Sequence, residues 1–224
     1  MTPLIDATEM YLRTVWELEE EGITPIRARL VERLGLSAPA VSETVARLEQ
    51  DGLLRVASDR TLELTEAGRQ LAISVMRKHR LAERLLTDVI GLEWEQVHNE
   101  ACRWEHVISD AVERRLVALL DDPRTCPHGN PIPDVSHSDL PGGPPVGLVT
   151  MAEAAKQGVR ATVRRISEKL QSDVDGMRFL RLHHLRPGAN AEFGVDAGQV
   201  VAAVAGPPVP VPEAVAEHVY VATA

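Results

Sequence analysis

Residues 25–64 constrain the fold more than any other part of the chain, because two short helical patterns and then two short strand patterns follow one another there. Thr24 and Pro25 are typical of an N-cap and a first helical residue, and Gly35 ends this first helix. Ser37 is typical of the N-cap of the second helix. The apolar residues of both helices recur at helical spacing and are expected in the core: Ile26, Leu30, Leu34, Val41, Val45 and Leu48.

The second of these helices leaves small and polar residues on its outer face. Two short helices joined by a tight turn form the helix-turn-helix pattern, whose second helix fits a DNA major groove. Residues 53–56 and 61–64 are predicted strands of a hairpin, which would be a wing with Arg60 near a phosphate. The candidates for DNA contact are Arg27, Ala28, Ser37, Pro39, Ala40, Ser42, Glu43, Arg47, Gln50 and Arg60. The alternative is a solvent-exposed helix pair and hairpin that bind no partner.

Charge is distributed unevenly over this part of the chain. The net charge of -9 argues against indiscriminate binding to nucleic acid. Residues 1–24 hold six acids and one Arg, whereas residues 25–60 hold six Arg and five acids. Any contact with DNA would therefore come from a local patch.

Residues 98–106 carry four possible metal ligands. Each helical residue turns about 100° around the axis, so a helix would place all four within an arc of about 100°: His98, Cys102, Glu105 and His106. His79 and Glu83 form a second pair, spaced i, i+4 on an earlier helical pattern. Imidazole, thiolate and carboxylate suit a divalent transition metal, whereas Ca²⁺ and Mg²⁺ call for oxygen ligands alone. Such side chains are also common as solvated or core residues of amphipathic helices, so the pattern alone leaves both interpretations open.

Helices are predicted over residues 4–21, 65–91 and 94 to about 120. The last two carry more apolar surface than a small wing domain can cover, which predicts a homodimer. The chain has two cysteines, too few for a disulfide framework, and no apolar run long enough for a signal peptide or membrane span. These features predict a cytoplasmic protein without a membrane partner.

The composition changes at residue 121, where a segment rich in Pro and Gly begins and continues to residue 147. It is interpreted as an irregular tether in which Cys126, His128 and His137 are unremarkable. Beyond it, a helical turn and then short strands are predicted, which indicates a small, mostly β domain. The predicted strands cover residues 158–170, 177–182, 191–195, 200–205 and 219–222.

Six segments carry a resemblance to a known family: DATEMYLRT at 6–14, EEEG at 19–22, RAR at 27–29, VMRKHRLAERLL at 75–86, EACRWEHV at 100–107 and GNPIP at 129–133. They closely resemble the diphtheria toxin repressor and iron-dependent regulator family of actinobacteria. The resemblance is dense over residues 1–133 and weaker beyond. It implies a mostly α fold with small β parts, in four segments: a winged helix-turn-helix domain (1–73), a helical dimerisation and metal-binding domain (74–140), a Pro/Gly-rich linker (141–157) and an SH3-like β-barrel domain (158–224).

The resemblance also implies two metal sites. The residues that match the family's primary site are Met10, Cys102, Glu105 and His106. Those that match its ancillary site are His79, Glu83 and His98, joined by Glu168 and Gln171 in the segment RISEKLQ at 165–171. Metal at the primary site would couple the N-terminal helix to the dimerisation helices and permit operator binding, and DNA would tighten metal binding in return.

The implied function is an Fe²⁺-activated transcriptional repressor of iron uptake and homeostasis genes, without enzymatic activity. Its partner would be palindromic double-stranded operator DNA, bound by one or two homodimers. Mn²⁺, Co²⁺, Ni²⁺ or Zn²⁺ would substitute for Fe²⁺ in vitro. Three alternatives remain: a repressor of the same fold that responds to manganese or another divalent metal, a metalloenzyme, and a winged-helix regulator that answers to a small organic ligand.

Some residues depart from the family's pattern at the expected DNA surface. Glu43 occupies the position of a groove-facing Gln, and Ala38, Ala40 and Gln50 replace Gly, Thr and Arg. A carboxylate accepts a hydrogen bond from cytosine but repels phosphate. We therefore expect an operator sequence different from the family's, or lower affinity for DNA.

Overall fold

The computed structural model describes residues 6–134 and 147–223, and residues 6–64 form a winged helix-turn-helix domain. Its elements are α1 (Ala7–Glu20), α2 (Arg27–Leu34), α3 (Ala38–Gln50), β1 (Leu54–Val56) and β2 (Leu62–Leu64). Asp6 caps α1 by accepting a hydrogen bond from the backbone of Thr8 at 2.8 Å, so the helix begins at Ala7. The predicted start at residue 4 lies outside the described residues. Ser37 caps α3 as predicted, and Val41, Val45 and Leu48 are buried.

The predicted start of α2 at Thr24 and Pro25 is wrong. The N-cap is Ile26, in an extended conformation. The carbonyl of Pro25 instead accepts a hydrogen bond from the backbone of Leu62 at 2.8 Å. This bond ties the segment before α2 to the wing, so the helix begins later than the local pattern predicted.

The helical domain follows the wing with one long helix and two shorter ones. Its helices are α4 (Glu66–Arg84), which continues as a π-helical turn over Leu85–Ile90, then a 3₁₀ turn at Trp94–Gln96, α5 (Val97–Trp104) and α6 (Asp110–Leu119). The prediction of a single helix from 94 to about 120 is wrong. The chain leaves the helix after Trp104, and Ser109 starts α6 by capping the backbone of Val112. An N-cap has an extended backbone, so the helix cannot run through Ser109.

The C-terminal domain is built on one antiparallel sheet of six strands with the order β3-β8-β4-β5-β6-β7. Its elements are β3 (Val149–Thr150), α7 (Met151–Gln157), β4 (Arg160–Ile166), α8 (Glu168–Gln171), α9 (Val174–Leu182), β5 (Asn190–Asp196), β6 (Gln199–Ala203), β7 (Val209–Pro210), α10 (Glu213–Ala216) and β8 (Val219–Thr223). The small, mostly β domain is thereby confirmed as an antiparallel sheet domain.

Three predictions for this region are wrong. Residues 168–170 do not continue the predicted strand 158–170, because β4 ends at Ile166 and Ser167 caps α8. Residues 149–157 belong to the domain rather than to the linker, because α7 starts with a capping box at Thr150 and Glu153 and buries Met151 in the domain core. Residues 177–182 are helical, because Asp173 caps α9 and the buried residues recur at helical spacing. The predicted linker residues 141–146 lie outside the described residues.

The dimerisation domain contacts the C-terminal domain through Glu95, whose carboxylate lies 2.9 Å from Nε of Arg181. Burial raises the pKa of Glu95, but the hydrogen bond from Arg181 contributes to a net lowering. A carboxylate with a lowered pKa in the folded state stabilises the fold above its unfolded pKa of about 4.3. That stabilisation is lost as the pH falls through the folded pKa.

We expect Glu95→Gln to lower the urea concentration at the midpoint of unfolding at pH 7. The difference from the unaltered protein should shrink as the pH falls below about 4, because both proteins then carry a neutral group. The control is Glu192→Gln, which removes an exposed carboxylate 3.7 Å from Arg160. An effect that stays constant with pH, or one matched by the control, would contradict this role for Glu95.

Candidate metal centre

Four buried side chains from three helices converge between the helical and C-terminal domains. His79 and Glu83 lie on α4, His98 on α5 and Glu168 on α8, and their donor atoms all lie within 4.8 Å of one another. Nε2 of His79 is 3.0 Å from Oε1 of Glu83, and Nδ1 of His98 is 3.4 Å from carboxylate oxygens of both Glu83 and Glu168. We call these four residues the α4–α8 cluster. The shared helix face of His79 and Glu83 is as predicted.

The α4–α8 cluster fits a divalent cation. Oε2 of Glu83, Oε2 of Glu168 and Nδ1 of His98 are buried and make no hydrogen bond to the described part of the chain. Buried polar atoms normally have a hydrogen-bond partner, so metal-ligating atoms that have none indicate a place for a bound cation. Two imidazoles and two carboxylates suit Fe²⁺, Mn²⁺ or Zn²⁺.

Gln171, the other residue predicted on this helix, is fully buried like Glu168. Its side-chain nitrogen donates to the backbone carbonyl of Ile166 at 2.8 Å. Its Oε1 is buried and has no hydrogen-bond partner among the described residues. Gln171 therefore has one free acceptor close in sequence to the cluster.

The residues predicted for a primary site do not form one group of mutually close donors in the described structure. Cys102 belongs instead to a group with His79 and His98, and its Sγ lies 3.5 Å from Nε2 of His98. Nδ1 of His106 lies 2.6 Å from Oε2 of Glu9 on α1. Met10, half-buried, packs against the winged-helix core, and it lines a cavity of about 230 Å³ together with Cys102.

Arg13 occupies the space between the donors of this predicted primary site. Its Nη1 donates to both carboxylate oxygens of Glu105 at 2.7 Å and lies 3.4 Å from Sγ of Cys102. Burial raises the pKa of Glu105, but the charge of Arg13 and the hydrogen bond from His79 outweigh burial and lower it to about 2. Burial also raises the pKa of Cys102, but the positive charges of His98 and Arg13 hold it well below its usual value. The guanidinium of Arg13 therefore favours the charged form of both groups.

Cys126 and His128 were interpreted as unremarkable, and this is wrong. Both are buried, and their donor atoms lie within 4.8 Å of each other and of Glu83. Nδ1 of His128 is 3.2 Å from Oε1 of Glu83. The segment that carries them is held to the end of β4, because the backbone of Ile166 donates to the carbonyl of His128 and the side chain of Asn130 donates to the carbonyl of Ile166. It is held to α4 by Arg84, which donates to the carbonyl of Thr125 at 2.7 Å. His137 lies outside the described residues.

The Cys-x-His spacing of these two residues, directly before the segment GNPIP that carries part of the resemblance, is the sequence signal that could have identified them. Burial raises the pKa of the Cys126 thiol, and the charge of Glu83 raises it further. The structure thus adds a thiol and an imidazole beside the α4–α8 cluster.

Arg80 is a further functional residue, and no local sequence pattern predicts it. It is fully buried on α4, and its guanidinium contacts Glu20 on α1 at 2.6 Å and Glu168 on α8 at 2.9 Å. It also donates to the carbonyl of Pro131 at 2.6 Å. A cation at this point connects all three domains, and one of its partners belongs to the α4–α8 cluster.

The predicted DNA surface is exposed as the helix-turn-helix pattern requires. The α3 side of it consists of exposed residues: Ser37, Pro39, Ala40, Ser42, Glu43, Arg47 and Gln50. Arg27 and Ala28 at the start of α2 line one cavity together with Arg60 at the tip of the wing. Arg47 lies 3.6 Å from Asp51 of its own helix, so one acid already faces one of the cations. Helix α3 and the wing therefore each present accessible residues of the set predicted to contact DNA.

A winged helix-turn-helix followed by a helical domain with buried imidazole, thiolate and carboxylate groups defines the class of metal-responsive DNA-binding regulators. The family model described as iron dependent repressor, N-terminal DNA binding domain, matches residues 3–62. The model described as iron dependent repressor, metal binding and dimerisation domain, matches residues 65–134. The chain belongs to the iron-dependent repressor family.

Individual relatives agree with this assignment. The chain is 60% identical over 179 residues to the iron-dependent repressor IdeR of Mycobacterium tuberculosis (strain ATCC 25618 / H37Rv), an alignment that covers 78% of each protein. It is 53% identical over 198 residues to the diphtheria toxin repressor of Corynebacterium diphtheriae, with 86% of each covered. A solved manganese-dependent transcriptional repressor in complex with manganese has a TM-score of 0.83 at 28% identity and covers 97% of this chain and 100% of its own.

Family membership places the chain among transcriptional repressors rather than among metalloenzymes. It also implies operator DNA as a partner and a homodimer as the assembly. None of the described helices has the length and apolar character needed to cross a bilayer.

Proposed function

We propose that this protein is an Fe²⁺-activated repressor that binds palindromic operator DNA upstream of iron uptake and homeostasis genes. The observation that carries the proposal is the closely spaced set of imidazole, thiol and carboxylate groups directly behind a winged helix-turn-helix, in a chain of the iron-dependent repressor family. Because a repressor acts on DNA, we expect it in the cytoplasm.

We assign two sets of metal ligands. The primary set is Met10, Cys102, Glu105 and His106. The ancillary set is His79, Glu83, His98, Glu168 and Gln171, and Cys126 and His128 adjoin it through Glu83. Thioether and thiolate donors in the primary set favour Fe²⁺ over Mn²⁺, and Co²⁺, Ni²⁺ and Zn²⁺ should bind in vitro.

When bound at the primary set, the metal supplies a positive charge that holds donors from two domains together. Met10 comes from α1 of the DNA-binding domain, and Cys102 comes from α5 of the dimerisation domain. A ligand shared between these helices orients α1, and α1 packs against the core that positions α3. Metal therefore favours one arrangement of the recognition helices, and operator DNA must raise the metal affinity by the same factor.

The dimer is supported by apolar side chains that the single chain leaves uncovered. Val89 and Ile90 at the end of α4 are 57% and 54% exposed, and Val107 after α5 is 62% exposed. Exposed apolar surface on a helical domain is typical of a subunit interface. A two-fold dimer presents two α3 helices to the two halves of a palindrome, and one operator accepts one or two such dimers.

We expect the full-length protein to bind its own upstream DNA only with Fe²⁺ present under anaerobic conditions, and to release it on addition of a chelator. Binding should be measured by fluorescence anisotropy on that DNA and on a family-type palindrome, with Fe²⁺ and with Mn²⁺. Metal occupancy of two sets per chain should be counted in the same samples.

The control DNA is a scrambled duplex of the same length and composition. Binding that ignores metal, or that is absent from both specific duplexes, would contradict the proposal. Equal or tighter binding with Mn²⁺ would favour the second candidate, a manganese-responsive repressor, which the similarity to the manganese-dependent repressor supports. Glu43→Gln should shift preference toward the family-type palindrome, because it replaces a carboxylate with a group that can also donate to a base.

A further inference from the structure

Two side chains of α1 contact donors of the proposed primary set. Arg13 binds both oxygens of Glu105 and lies within 3.4 Å of the sulfur of Cys102. Glu9, one helical turn earlier, binds His106 at 2.6 Å. Positions i, i+3 and i+4 share a helix face, so Arg13 shares one face with Glu9 at i+4 spacing and another with Met10 at i+3 spacing. Three of the four proposed donors are therefore engaged by α1 through residues other than Met10.

We infer that Arg13 is a built-in cation that occupies the primary metal site and competes with the metal for Glu105 and Cys102, so that it sets the metal affinity of the protein. This inference rests on the primary ligand set proposed above. Each proposed donor atom that Arg13 contacts is one that the metal needs. A guanidinium 2.7 Å from a carboxylate and a metal bonded to the same carboxylate cannot occupy the same space.

The geometry also provides a place for the displaced guanidinium. Nε of Arg13 is 2.5 Å from Glu17 on the same helix, at i, i+4 spacing. Arg13 can therefore keep one carboxylate partner on α1 after it releases Glu105. The exchange replaces a contact through Arg13 by a contact through Met10 on the same helix face, so α1 must move relative to α5.

If Arg13 competes with the metal, its removal should strengthen metal binding. If Arg13 instead supported the metal site, its removal should weaken metal binding. Removing the Arg13 cation takes away the guanidinium that contacts both Glu105 and Cys102 and leaves them only imidazole partners in the metal-free protein, so Arg13→Met should lower the dissociation constant for Co²⁺ roughly 10- to 100-fold. Co²⁺ binding should be titrated anaerobically against a competing chelator. The signal is the thiolate-to-Co²⁺ charge-transfer absorbance, with Cys126→Ser in all proteins so that only Cys102 contributes.

The matched control is Arg33→Met. Arg33 also has a side chain that is 10% exposed and pairs with a buried carboxylate, that of Glu21, which belongs to neither proposed ligand set. Unchanged or weaker Co²⁺ binding in Arg13→Met, or an equal gain in the control, would overturn the inference. If the parent protein shows no charge-transfer absorbance that depends on Cys102, the primary set is wrong and the inference falls with it.

A second measurement follows Arg13 directly in the protein that keeps this side chain. The arginine Nε–Hε signals of the ¹⁵N-labelled protein should be recorded by NMR with and without Zn²⁺, and the Arg13 signal identified by its absence in Arg13→Lys. We expect the Arg13 signal to shift on addition of Zn²⁺ while the Arg33 signal stays in place. An Arg13 signal that does not respond while Cys102 becomes metal-bound would overturn the competition.

Discussion

Cys102→Ala should abolish Fe²⁺-dependent operator binding at metal concentrations that saturate the unaltered protein. Cys102 contributes the sulfur ligand of the proposed primary set, and although burial raises its pKa, the positive charges of His98 and Arg13 lower it on balance. Losing a ligand of this kind should raise the Fe²⁺ concentration needed for half-maximal DNA binding by roughly 100-fold or more. The measurement is an anaerobic Fe²⁺ titration of DNA binding by fluorescence anisotropy.

His79→Ala is the matched comparison, because His79 is a buried ligand candidate of the ancillary set. We expect it to weaken Fe²⁺-dependent DNA binding by about tenfold without abolishing it. Some loss is expected since Nδ1 of His79 lies 2.7 Å from Oε2 of Glu105 and so helps to orient a primary ligand. Equal and complete loss in both variants would contradict the division into primary and ancillary sets. Circular dichroism of both metal-free proteins would show whether either substitution disturbs the fold.

Sequence patterns correctly predicted the helix ends that are fixed by residues close together in the chain. The N-cap of α3 is an interaction of Ser37 with the backbone of Ala40, and a pattern of a few residues is enough to predict it. The start of α2 depends instead on a bond between Pro25 and the distant Leu62. In α9 the apolar run is short, and a short apolar run fits a strand as well as a helix. The cap at Asp173 is the local feature that starts a helix there.

The candidate site shows the same limit. Helical spacing predicted that His79 and Glu83 share a face, and the resemblance supplied Glu168 from another domain; the structure places all three together. Nothing in the local sequence distinguishes Arg13 and Arg80 from solvated arginines, because their burial results from packing between domains. Such an arginine can be identified as buried only from the folded structure, which shows the carboxylates that surround it.

The second large effect that we expect is a loss of stability when Arg80 is replaced. Arg80→Met should lower the free energy of unfolding of the metal-free protein by about 3–5 kcal/mol, because it leaves the buried carboxylate of Glu168 without its cation. Glu20 loses the same partner but keeps Arg165 at 3.0 Å. Urea unfolding should be followed by tryptophan fluorescence, since the Arg80 guanidinium lies 5.1 Å from the ring of Trp16.

Arg77→Met is the control for Arg80→Met on the same helix. Arg77 also pairs with a carboxylate, Glu113 at 2.8 Å, and donates to a backbone carbonyl, that of Pro133, but its side chain is 15% exposed rather than fully buried. Water can solvate the groups that Arg77 leaves behind, so its loss should be smaller. Zn²⁺ should stabilise both variants, but it should narrow the difference in stability from the unaltered protein only for Arg80→Met, because a metal in the α4–α8 cluster would neutralise Glu168. Equal losses in the two variants, or no selective rescue by Zn²⁺, would mean that Arg80 does not compensate the charge of the ancillary site.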